Sequence, residues 1–407
     1  MSMSLRILAF ALGLTLLAGC GEPPDPRLRE PLVLLHGPAL ERLLERLARL
    51  EGTPLARNAK SLRGRLGGCA TVWGTPRAGG RDAAQQALAD LRCLTAEDED
   101  DERLTLARRR RGDAAGWIQW PLGGNGRLEL GLELLDEDLA LTGRVEPPAI
   151  PGALALLLPG QSPPAAPAIE PTRAVIHLRV KPADGLPLSQ WIPTGGQADR
   201  LFALKGRLLA GALLEGTWEL AFVTPETPGS LPLPVAALHH RLEDPIRRAV
   251  DEALDQLERT WPIRRTPRRF GLDPDADPSA AARPDTGVDG GCYLDLPLLP
   301  ELAPCWAITP EALLIGYRPE AVERALAAPD VSAAAAVGSG PDSVVSGPRA
   351  AATGLDVDFD RLRAIDRALA PEAEGPRPAD LWSKLALRWR EERDGTISLD
   401  ARLKARP

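Results

Sequence analysis

Four histidines, one acidic run and one run of arginines mark where side chains of this 407-residue chain could support chemistry. His239-His240 stands just ahead of Asp244 at the entrance to a helical pattern, so the three could ligate a metal. Adjacent histidines at a helix entrance more often serve the loop or the surface, and no metal is expected. Asp273, Asp275 and Asp277 have the opening rhythm of a calcium loop. Its sixth and twelfth positions are Pro278 and Pro284, where such a loop needs Gly and Glu, so an acidic, Pro-rich loop is expected instead. The stretch from Trp261 to Phe270 carries Arg264, Arg265, Arg268 and Arg269 between aromatic ends. Guanidinium forks match phosphate oxygens, which makes these four arginines a candidate anion-binding site. The alternative is a solvated loop neutralised by the three aspartates downstream. No G-x-S-x-G elbow, H-E-x-x-H, phosphate-binding loop or G-x-G-x-x-G occurs. No catalytic residue and no cofactor is assigned from spacing, although a Ser–His–Asp site is a matter of geometry rather than sequence order.

The remaining reactive group is the Cys20 thiol. Arg6 is followed by an apolar run, Ile7 to Leu17, then the small residues Ala18 and Gly19. One positive charge ahead of such a run fits a signal peptide over 1–19. The run is too short for a spanning helix, which needs roughly 20 residues. Leu17-Ala18-Gly19-Cys20 resembles the bacterial lipobox. The resemblance implies diacylation of Cys20, cleavage before it and N-acylation. Two or three acyl chains anchor a protein stably without spanning the membrane. Gly21 follows the cysteine, not the Asp that resembles inner-membrane retention, so the outer membrane is the expected location. Residues 20–30, with Pro23, Pro24 and Pro26, read as the lipidated cysteine and an extended spacer.

Removing 1–19 takes away one basic residue, Arg6, and moves the net charge from −7 to −8. That acidity, with an envelope location, argues against nucleic acid as a partner. Four cysteines then remain, and an even number in an exported chain suggests disulfides. Four allow three connectivities; the local pairs Cys69–Cys93 and Cys292–Cys305 are favoured because they lie in different halves of the chain. Neither pair has the C-x-x-C spacing of a zinc site.

Periodicity supplies the elements that must position these groups. Leu40, Leu43, Leu44, Leu47 and Leu50 mark one helix, Arg81 to Leu91 a second, and Ile246, Val250, Leu254, Leu257 and Trp261 a third capped by Asp244. Leu104 to Ala107 is a possible strand. Arg127 to Leu134 and Leu139 to Val145 read as hairpin arms, as do Leu208 to Leu214 with Thr217 to Val223, and Leu385 to Arg390 with Thr396 to Leu403. Residues 147–172 are Pro-rich and read as a connector between a first lobe, 31–146, and a second, 173–407, with mobile loops at 271–290 and 329–353. The expected fold class is α+β: hairpin-rich antiparallel sheets with amphipathic helices. A Gly-Gly-Cys echo, 67–69 and 290–292, suggests two related lobes.

The stretches Leu32 to Leu62, with its PLARNAKSL segment, and Gly291 to Leu326, ending in PEAVERAL, are similar to an exported bacterial family catalogued only as a domain of unknown function. The two stretches carry the likeness. It implies a strand followed by a helix, then a hairpin closed by a helix, and it brings no activity. The expected function is a non-enzymatic, membrane-anchored envelope protein that binds a lipid or another envelope component. The alternatives are an assembly factor of an envelope protein complex and a hydrolase with a scattered site.

Overall fold

The structure is a computed structural model and describes residues 32–49, 53–75, 90–98, 101, 104–105, 108, 114–122, 126–135, 138–146, 167–181, 217–227, 230–240, 242–271, 287–294, 302–327, 353–370, 380–392 and 394–406. The signal segment, Cys20, the spacer, the expected helix over Arg81–Leu91 up to residue 89, Leu208–Leu214, Asp273, Asp275 and Asp277 lie outside them. In chain order the first elements are β1 (Leu32–His36), α1 (Gly37–Ala48), α2 (Pro54–Leu66), β2 (Thr71–Gly74) and β3 (Arg92–Cys93). Then come β4 (Gly116–Leu122), β5 (Gly126–Leu135), β6 (Asp138–Glu146), β7 (Ala174–Val180), β8 (Trp218–Val223), β9 (Leu233–His239) and α3 (Glu243–Thr260). The chain continues through β10 (Arg265–Phe270), β11 (Val288–Tyr293), β12 (Cys305–Ile308), β13 (Ala312–Gly316) and α4 (Pro319–Leu326). It closes with β14 (Thr353–Asp358), α5 (Phe359–Leu369), β15 (Trp382–Glu391) and β16 (Ile397–Ala405). Among the described residues, five helices with antiparallel strand pairing make the fold α+β, as the sequence pattern implies.

Two compact units divide the chain: Met1–Ile150 with Asp358–Pro407, and Pro151–Val357. The Pro-rich connector predicts 173–407 as one lobe, but β16 pairs with β6 over Ile397↔Val145 to Leu403↔Leu139, so the closing hairpin belongs with the N-terminal unit. In that unit the strand order is β15-β16-β6-β5-β4-β1-β2-β3. Pro at the start of α1 and the Thr53 hydroxyl accepting from the Ala56 amide open two helices whose apolar stripes fall on the sheet. Leu40, Leu44, Ala59, Leu62 and Leu66 meet Val33 and Val72 there. Leu104 is fully buried with Leu32, Leu34, Trp73 and Trp117. Leu104 and Thr105 are helical rather than a strand, with the Thr105 amide donating to the Asp101 carbonyl. The Cys69–Cys93 bridge ties the end of α2 to β3, with Cα atoms 5.4 Å apart.

The C-terminal unit has the order β10-β11-β12-β13-β9-β8-β7-β14. One face packs Ala221, Val223, Val235, Ala237 and Leu314 with α4, Ile169 and Phe270. On the other, Ile246 and Val250 of α3 lie on Ile308, Leu313 and Leu238. Asp244 does not cap α3: the cap is Leu242, and Asp244 lies in the first turn, where its charge still meets the positive helix end. Trp261, expected on the core stripe, follows the last turn and is 48% exposed. The Cys292–Cys305 bridge joins directly opposed residues of β11 and β12, with Cα atoms 4.1 Å apart. Gly290 and Gly291 precede it because a side chain there would collide with the backbone and ring of Trp306. Gly67-Gly68 instead ends α2, with Gly68 at φ +83°, so the two Gly-Gly-Cys triplets stand in unlike structures.

Candidate functional site

The arginine run is an edge strand of its unit rather than a solvated loop. Among the described strands β10 pairs with β11 alone, and Pro267 and exposed arginines suit a sheet edge, where they discourage further strand pairing. Three of the four candidate arginines meet carboxylates of neighbouring elements. Arg265 lies 2.6 Å from Asp255 and 3.8 Å from Glu258. Arg268 reaches Glu323 at 2.5 Å, and Arg269 reaches Asp289 at 3.1 Å. Of the four, Arg264 alone is exposed with no acidic partner among the described residues. The structure therefore gives three of these side chains partners of their own.

The histidines part company. His240 is buried, its Nε2 lies 3.1 Å from the Thr309 carbonyl oxygen, and burial pushes its pKa down. His239 turns the other way, into a cluster that the sequence reading missed. Strand alternation puts Glu219 on the core face of β8 with Ala221 and Val223. Opposite it stand Arg179 on β7 and Ala237 on β9, so His177 and His239 occupy the diagonal positions. Diagonal neighbours lie within reach of long side chains. His177 Nε2 is 2.7 Å from Glu219 Oε2, and His239 Nε2 is 2.5 Å from Oε1. An ionised carboxylate only accepts, so both imidazoles donate through Nε2. The Ala168 amide donates to Oε1 at 2.7 Å and the Ile169 amide to Oε2 at 3.3 Å.

Burial by itself would raise the Glu219 pKa; the hydrogen bonds from His177, His239 and Ala168 outweigh it and bring the carboxyl down to about 2. Glu219 is 0% exposed, His177 2% and His239 4%. Four donors converge on one carboxylate, and the result stitches three strands to the segment at Ala168–Ile169 that crosses the core face. No group of three or more His, Cys, Asp or Glu among the described residues could hold a metal ion. The sequence signal for this cluster was parity: Glu219 sits two residues from Ala221, at a position that must point inward.

A second arrangement lies in the N-terminal unit. Between β5 and β6 the register sets Leu132 opposite Leu141 and Leu134 opposite Leu139. β16 continues the same face with Leu399, Ala401 and Leu403, and β15 with Leu385, Leu387 and Trp389. Leu130, Leu134, Leu139, Leu141, Leu385, Leu387, Leu399 and Leu403 are all half-buried. The opposite face is charged. Arg127 pairs with Glu146 at 2.7 Å, Arg402 with Asp138 at 2.9 Å, and Arg144 with Asp394 beside the Gly395 turn. Four strands thus present one aliphatic surface with its leucines in register, backed by a layer of ion pairs.

Compared with protein-family models, curated proteins and solved structures, the chain matches none.

Proposed function

We propose that this chain is a lipid-anchored protein of the bacterial envelope, at the outer membrane, which binds an acyl-chain-bearing lipid along the aliphatic face of β5, β6, β16 and β15. The observation that carries the binding reading is the set of eight half-buried leucines in register across four strands. Each methylene withdrawn from water contributes about 0.8 kcal/mol, so roughly a dozen outweigh the lower estimates of association cost. Acyl chains suit this surface better than a protein does, because protein interfaces favour aromatic and arginine anchors and this face offers leucine with a single Trp389. Anchoring rests on the Leu17-Ala18-Gly19-Cys20 sequence, and the two disulfides fit an oxidising compartment.

The function is non-enzymatic in this reading. A general base must reach its substrate, whereas both buried histidines hold Glu219 inside the core. A docking role in an envelope protein complex is the second reading, and it would use the same face. Native mass spectrometry of the mature chain, purified from an oxidising periplasm, separates the two. Bound mass that extracts into organic solvent supports lipid binding; a stoichiometric protein partner without lipid supports docking and overturns the lipid reading.

A further inference from the structure

In a chain of net charge −7, residues 37–66 carry seven basic side chains against three acidic ones, a net charge of +4. These residues are the α1–α2 pair, the first described helices after the expected anchor. Both helices turn their apolar stripes onto the sheet through Leu40, Leu44, Ala59, Leu62 and Leu66, which leaves the charged stripes outward. On α2 the four basic residues Arg57, Lys60, Arg63 and Arg65 are all exposed and no acidic residue interrupts them. Arg63 lies 3.7 Å from Glu41 and 4.0 Å from Glu45, and Arg46 stacks on Trp382, 4.8 Å from the ring centroid. Arg42, Arg49 and Arg57 are exposed and have no acidic partner among the described residues. Cys20 and Leu32 are separated by twelve residues, a reach of at most about 40 Å when extended.

We infer that the outward face of α1 and α2 docks on an anionic phospholipid surface, with Arg42, Arg49 and Arg57 meeting headgroup phosphates. This rests on the reading that Cys20 is the anchor, since the anchor holds these helices beside the membrane. Basic groups near such a surface attract it, each by roughly fivefold in partitioning, and the attraction fades beyond about one Debye length. Acyl chains at Cys20 would supply insertion and the helical pair orientation, a two-signal arrangement. The arginines of β10 do not compete for the role, because three of them are already paired.

The test uses the complete mature chain with Cys20→Ser, exported behind an ordinary cleavable signal, and vesicles rich in phosphatidylglycerol against vesicles of phosphatidylcholine. Co-sedimentation is expected with the anionic vesicles alone, and high salt should abolish it. The triple variant Arg42→Ser, Arg49→Ser, Arg57→Ser should bind about a hundredfold more weakly. The triple Lys variant should retain binding, and Arg264→Ser, an exposed cation elsewhere, should leave it unchanged. Equal binding by the triple Ser variant, or no preference for anionic vesicles, would overturn the inference. Labelled palmitate incorporation into the wild type, lost in Cys20→Ser, tests the anchor separately. Its failure would remove the anchor while leaving the vesicle result standing.

Discussion

On the core face of β7, β8 and β9 in the C-terminal unit, two histidines and a glutamate stand among small aliphatic residues, all but sealed from water. On the matching parity of β5, β6, β16 and β15 in the N-terminal unit, leucine recurs across the strands, and outside Leu128 and Leu132 it stays half-buried. Both surfaces follow from the two-residue repeat of a strand. They differ in what they demand of their surroundings. A buried carboxylate must have its hydrogen bonds, so Glu219 fixes the register of three strands and the path of Ala168–Ile169 at once. A leucine surface has no directional requirement and accepts any apolar cover. The first arrangement specifies structure, and the second suits a ligand of variable shape.

The sharpest way to break this comparison is to remove the carboxylate. Glu219→Ala leaves the buried Ile169 amide, the half-buried Ala168 amide and two imidazoles without their acceptor, and should cost about 3–5 kcal/mol of unfolding free energy. Leu141→Ala on the half-buried face should cost about 1 kcal/mol. Denaturant titration of both variants checks the contrast, and similar losses would mean that Glu219 is not the stitch described.

Acid gives a second, smaller effect. The Glu219 carboxyl is held at about 2 against an ordinary 4.5, while His177, His239 and Arg179 face it. A depressed carboxylate contributes its full stability above pH 4.5 and loses it as the pH falls toward 2, a change on the order of 3 kcal/mol. Unfolding measured across that window should show a steeper loss for the wild type than for Glu219→Gln. Parallel profiles would assign acid sensitivity elsewhere.

Much of the fold was legible because its signals are local. The alternation in Arg127–Val145 and in Leu385–Leu403 specifies two hairpins, and both form in register. The stripes of α1 and α4 are likewise plain in the sequence, and the short spacings of the cysteines point to the two bridges present. β10 was not legible, since an edge strand written Arg-Thr-Pro-Arg-Arg-Phe has no apolar alternation until Phe270 is buried. The Glu219 cluster was hidden for a different reason. Its members are spread over 62 residues, from His177 to His239, and only the strand order brings them together. The return of β16 to β6 was hidden in the same way, because pairing across more than 250 residues leaves no local trace.

The proposed lipid would lie on the aliphatic face of the N-terminal unit and not in the sealed core of the other unit. Cross-linking the mature protein with a photoreactive fatty acid, then mapping the modified peptides by mass spectrometry, tests it most directly. Adducts are expected within Leu128–Val145 and Leu385–Leu403, competed away by unlabelled fatty acid. Adducts confined to Ala174–His239, or none that compete, would contradict it.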